Sequence, residues 1–145
     1  MNWTSKKLQI KILKKYNQLI ETRNLLKKEG LSFAYSNNVS YLIRRLKLPM
    51  MQIGDFNKSW DIYNSFNFIN KNLTKNTKIL DVGCYGSEII LSLYKGGFKN
   101  IHGIDTNPKI KKMPYSNKIN YHVGNFFENK FQSSSFDCIT SISVI

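Results

Sequence analysis

The sequence predicts an α/β fold, a partial parallel sheet of about four strands preceded by a helical N-terminal region, and three observations carry that prediction. From Lys78 onward, short apolar runs recur at 79–82, 101–104, 119–123 and 136–144, bounded by Gly, Asp or Asn. Such runs are what parallel strands buried on both faces look like. A helical stretch at 87–94, with Ile89, Ile90 and Leu93, separates the first two, as a βαβ crossover requires. The first half of the chain shows helical spacing instead. The expected organisation is a helical region over 1–72, packing on or capping the fold, and an α/β unit over 73–145.

Each element follows from local pattern. Residues 5–29 form an amphipathic helix, with Leu8, Ile12, Tyr16 and Ile20 every four positions and Leu13, Leu19 and Leu26 widening the stripe. Thr4 or Ser5 can cap its start, and Gly30 supplies the left-handed residue that ends it. Residues 39–49 give a shorter helical pattern stopped by Pro49. Residues 50–57 read as a connection. A second long helix at 60–69 places Trp60, Tyr63, Phe66 and Ile69 on one side, as core packing, and 70–76 breaks it.

Composition narrows the class. The chain has 145 residues, 41% hydrophobic and 13% aromatic, which excludes a disordered tail and suits one domain. No stretch approaches the roughly 18 uninterrupted apolar residues of a membrane span. The lysine-rich start does not resemble a signal peptide. Two cysteines inside apolar runs point to a reducing, cytoplasmic setting, with Cys84 and Cys138 as small buried thiols on neighbouring strands, not a metal or redox pair. The formal net charge is +13, and most of it falls in residues 1–49. That basic layer could meet nucleic acid, but only three of 22 basic residues are Arg, the better phosphate reader, so a solvated lysine face is the plainer reading. His102 and His122 lie in strands with no acidic partner nearby in sequence and read as core or surface histidines.

Chemistry is concentrated in Lys78-Ile-Leu-Asp-Val-Gly-Cys-Tyr-Gly-Ser-Glu88, a strand running through a Gly-containing loop into a helix. Gly83 and Gly86 permit a sharp turn and close approach of a ligand to the main chain. Asp105 ends the next strand, 22 positions after Gly83, where a carboxylate can accept hydrogen bonds from ribose hydroxyls. The dinucleotide pattern G-x-G-x-x-G fails at Tyr85 and Glu88. Carboxylates at Asp81, Glu88 and Asp105 in so basic a chain suit a cationic ligand, and S-adenosylmethionine carries both a sulfonium and an ammonium.

At these residues the chain resembles the class I S-adenosylmethionine-dependent methyltransferases, small-molecule branch, over residues 78–145. Ile79-Leu-Asp-Val-Gly-Cys84 is similar to the family's first motif and Ile101-His-Gly-Ile-Asp105 to its second. Tyr121-His-Val-Gly-Asn-Phe126 resembles the third, and the run from Phe136 to Ile145 the fourth strand of a Rossmann-like sheet. The resemblance implies cofactor contacts from Asp81, Gly83, Tyr85, Gly86, Asp105, Thr106, Asn125, Phe126 and Ser141. Asp81 would bind the methionine amino group, Asp105 the ribose, and Thr106 and Phe126 would flank the adenine. Tyr85 replaces a usual Gly and must be seated beside the cofactor, while Asn125 replaces a usual Asp and keeps an acceptor.

The resemblance also implies three further strands after the fourth, so the chain looks truncated, with a fourth-strand edge open to pairing with another chain. No catalytic residue and no metal ligand is assigned. The favoured function is S-adenosylmethionine-dependent methyl transfer to a small-molecule acceptor. A catalytically inactive methyltransferase-like fragment or interaction module is the second reading, and an RNA methyltransferase or RNA-binding protein using the basic N-terminal region is the third.

Overall fold

The computed structural model describes residues 12–34, 38, 39, 42, 45, 46, 52–129 and 131–142. Four parallel strands form one sheet in the order β3-β2-β1-β4: β1 (Lys78–Val82), β2 (Asn100–Asp105), β3 (Asn120–Val123) and β4 (Cys138–Thr140). All three pairings are parallel, with Ile79 opposite Ile101 and Cys138, and Ile104 opposite His122. The strand order reverses direction between β1 and β4, so the carboxyl ends of these strands form the crevice where open α/β sheets bind ligands.

Among the described residues, three α-helices position the site: α1 (Asn17–Lys28), α2 (Ser59–Asn72) and α3 (Glu88–Lys95). α1 packs on α2, α2 on α3, and α3 on β2. Ile79 and Ile101 point to the helical face and join Ile89, Ile90, Phe66, Ile62 and Leu26 in one buried cluster. Leu80 and Ile104, their neighbours in the alternation of the strands, are buried on the opposite face. Ser92 of α3 donates to the Leu31 carbonyl at 2.8 Å, which ties the segment after α1 to the crossover helix. No helix among the described residues is long and apolar enough to cross a membrane.

Within the described residues, the helix expected over 5–29 begins only at Asn17. Residues 12–15 are not helical, and the Gln18 side chain accepts from the N–H groups of Lys14 and Lys15 at 2.7 and 2.9 Å. A side chain that bonds the preceding backbone competes with a helical turn there, and lysines are unfavourable at a helix N-terminus. The expected cap at Thr4 or Ser5 lies outside the described residues. The helix does end at Gly30, with φ +70° and a Leu31 N–H to Leu26 C=O bond of 2.8 Å.

Its buried face also differs from the expected stripe. Ile12, Tyr16 and Ile20 are exposed, while Leu19, Thr22, Arg23 and Leu26 are buried. In α2 the buried positions are Ser59, Ile62, Phe66 and Ile69, so Ile62 takes the core place expected of Tyr63. Of the expected helix at 39–49, only Val39, Leu42, Arg45 and Leu46 are described; the first three are helical and Leu46 is in a turn.

Candidate functional site

The loop from Gly83 to Ser87, between β1 and α3, sits at the carboxyl end of the sheet. Gly83 and Gly86 have φ of +74° and +72°, a conformation that strains any residue with a Cβ. A Cβ on Gly86 would also stand 2.9 Å from the Gln52 carbonyl oxygen. The segment 52–58 covers the loop, and the Gly54 N–H donates to the Gly86 carbonyl at 2.8 Å. Between segment and loop lies a cleft of about 320 Å³, lined chiefly by Gln52, Asp55, Lys58, Tyr85, Gly86 and Glu88. Its volume falls within the range of small-molecule sites.

Asp81 stands directly behind this loop in β1 and is 1% exposed. Its Oδ1 accepts from Thr140 Oγ1 at 2.7 Å, while Oδ2 is buried and has no hydrogen-bond partner. Burial pushes its carboxyl up to about 6; the Thr140 hydrogen bond and the nearby Ser87 hydroxyl oppose that rise, and the Asp105 charge adds to it. A half-satisfied buried carboxylate is costly unless a cation or donor reaches it.

Asp105 belongs to the same face of the sheet, since Asp81 is opposite Gly103 and Asp105 lies two residues further along β2. Its Oδ2 accepts from the Tyr85 N–H at 3.0 Å and its Oδ1 from the Asn107 N–H at 2.8 Å. Asp105 is therefore both a turn residue and a clamp on the Gly loop. Each oxygen keeps a lone pair for a further donor. Tyr85 is half-buried, packs against the core and lines the cleft.

The other expected site residues occupy the same rim but not the same cleft. Thr106 follows β2 and is exposed; Ser141 follows β4 and is exposed. Asn125, after β3, accepts from the Phe127 N–H at 3.1 Å through its side-chain oxygen. Phe126 is half-buried beside Ile139 in a separate hollow of about 300 Å³. Gly83, Tyr85 and Gly86 line the main cleft, whereas Asp81 and Asp105 do not; Asp105 reaches the loop through the Tyr85 N–H.

Glu88 has a different place from the one its motif position suggested. It is 1% exposed, and its Oε1 binds Arg23 at 2.6 Å and the N–H groups of Phe33 and Ala34 at 2.7 and 3.1 Å. Its Oε1 is a tie between layers, while its Oε2 is buried without a hydrogen-bond partner. The cleft wall made by Gln52, Asp55 and Lys58 reads in the sequence only as a connection, because it has no periodicity to mark it.

The cysteines and histidines also sit somewhat differently from expectation. Cys84 is buried in the loop after β1 and not on a strand, and burial raises its thiol far above the ordinary value; both cysteines are free. His102, opposite Asn120, and His122, opposite Ile104, are diagonal neighbours across the β2–β3 pair, with Nδ1 and Nε2 3.1 Å apart. Phe131 and Phe136 pack edge-on against them, and desolvation, with the neighbouring His122 and Lys78, lowers His102 to about 4.

Residues 80–145 match the family described as "Methyltransferase domain". No curated protein and no solved structure gives a significant match to the chain.

Proposed function

We propose that this chain, whose residues 80–145 match the methyltransferase domain family, is a class I S-adenosylmethionine-dependent methyltransferase that binds S-adenosylmethionine over the β1–α3 loop and serves methyl transfer to a small-molecule acceptor. The observation that carries the reading is the Asp81 Oδ2 atom, buried and without a partner beside a loop whose backbone a ligand can approach. A cationic ammonium supplies what that oxygen lacks, so the residues present fit the cofactor. A pyrophosphate would instead meet like charge there.

In this reading Asp81 holds the methionine amino group, and Asp105 offers its remaining lone pairs to the ribose hydroxyls. Gly83, Tyr85 and Gly86 form the floor, Ser141 borders the methionine part, and Thr106, Asn125 and Phe126 border the adenine. The division at residue 72 belongs to the same proposal, with 73–145 holding the cofactor and 1–72 capping it.

When bound, the sulfonium supplies a methyl group with its leaving group already in place. The chain's task is then to orient the acceptor atom and exclude water. Segment 52–58 serves the second task by covering the loop. No side chain is assigned as a general base.

Thermal unfolding with added ligand tests the reading. S-adenosylhomocysteine is expected to raise the unfolding temperature with increasing concentration, and NAD is expected to leave it unchanged. A folded sample that responds to neither, or to NAD alone, would refute the assignment.

A further inference from the structure

The helical layer meets the cleft through one side chain. Arg23, in the middle of α1, is 2% exposed and distributes its donors over four segments. Nε donates to Ser59 Oγ at 2.8 Å, at the start of α2. Nη1 donates to Ser32 Oγ at 2.9 Å and to Glu88 Oε1 at 2.6 Å, the latter in the first residue of α3. Nη2 donates to the Asp55 carbonyl at 2.9 Å. Only a planar guanidinium fork serves this many acceptors at fixed angles; an ammonium does not.

Two of those segments are the opposite walls of the cleft. Asp55 and Ser59 belong to or adjoin the covering segment 52–58, and Glu88 ends the Gly loop. Their direct contacts include the Gly54–Gly86 hydrogen bond, the Gln52 carbonyl close against Gly86, and Gly54 lying so close to Glu88 that a Cβ there would stand 2.6 Å from Oε2. We infer that Arg23 is a positioning residue for the ligand site, clasping segment 52–58 onto the β1–α3 loop and setting the width of the cleft. The inference rests on the cleft being the cofactor site, yet Arg23 and the segment it holds lie wholly outside residues 80–145. The helical layer is thereby a working wall of the site. A clasp of this kind acts on bound ligand through release, since an opened wall exposes the cleft to water.

Arg23→Lys keeps a cation beside Glu88 but loses the simultaneous reach to Ser59, Ser32 and Asp55. Ile119→Val, a mild core change below β3, serves as the control for general destabilisation. Amide hydrogen exchange of the unliganded protein and S-adenosylhomocysteine affinity are the two readouts. In Arg23→Lys the Gly54 amide is expected to exchange about tenfold faster or more, while the β2 amides of Ile101 and Ile104 move no further than in Ile119→Val. The dissociation constant is expected to rise about tenfold or more in Arg23→Lys and to stay near wild type in the control. Gly54 and β2 amides accelerating together, or an unchanged affinity despite a faster Gly54, would overturn the clasp. A wild type that binds no S-adenosylhomocysteine would sink the cofactor reading instead, and Gly54 exchange alone then decides whether the clasp exists. Should Arg23→Lys not fold, Ser59→Ala removes the Nε partner and carries the same readouts.

Discussion

Replacing Asp81 by Asn, with no ligand present, isolates the strain that the proposed cofactor would relieve. The carboxyl is raised to about 6 in the folded chain from an ordinary 3.8, chiefly because burial penalises its charge. A group whose folded value is raised contributes stability below the unfolded value and loses it as pH rises through the folded one. At ~1.4 kcal/mol for each tenfold change in acidity, that rise corresponds to about 3 kcal/mol lost between pH 4 and pH 8. Asn carries no charge and can still accept from Thr140 Oγ1; an amide N–H left there without an acceptor adds a pH-independent cost of about 1–3 kcal/mol. The stability difference between variant and wild type should therefore move by about 3 kcal/mol in favour of the variant from pH 4 to pH 8. Urea unfolding followed by circular dichroism at several pH values measures it. A difference that stays constant across that range would show that Asp81 does not titrate as a strained buried carboxyl.

Three more outcomes follow from the same geometry. Because a protonated Asp81 cannot hold a cation, S-adenosylmethionine affinity should fall about tenfold per pH unit below about 6, and calorimetry at pH 5 and pH 7 checks this. Gly86→Ala places a Cβ against the Gln52 carbonyl at φ +72°, so thermal unfolding should show a loss of at least about 1–2 kcal/mol, with a faster-exchanging Gly54 amide. For His102, the folded value lies below the ordinary one, so its contribution is present above pH 6.5 and lost as pH falls toward 4. His102→Gln should flatten that acid limb, and histidine ring NMR should find both His102 and His122 titrating below the usual range.

The strands were legible because burial on both faces leaves an apolar run, and 79–82 or 101–104 needs no partner to be recognised. Asp81, the Gly loop and Asp105 were legible because they sit at fixed offsets from those runs. The opposite wall was not. Residues 52–58 have neither periodicity nor a motif, and their place over the loop depends on contacts to Gly86 and Arg23 far away in sequence. Arg23 itself reads as one more solvated cation until its partner, 65 residues on, is known. One signal was available: it is among only three arginines in a chain of 22 basic residues, and it shares a helix face with Leu19 and Leu26. The buried face of α1 was misread for the same reason, since a pattern search assigns Ile12, Tyr16 and Ile20 to the core and an arginine to water. The His102–His122 contact depended on strand register, which single-strand patterns do not contain.

Whether a buried carboxylate holds a cationic adenosyl donor is tested most directly by calorimetric titration of S-adenosylmethionine into wild type and Asp81→Asn at pH 8. Micromolar-range binding by the wild type and none measurable by the folded variant is the predicted pair of results. Equal affinities, or no heat from a folded wild type, would contradict it.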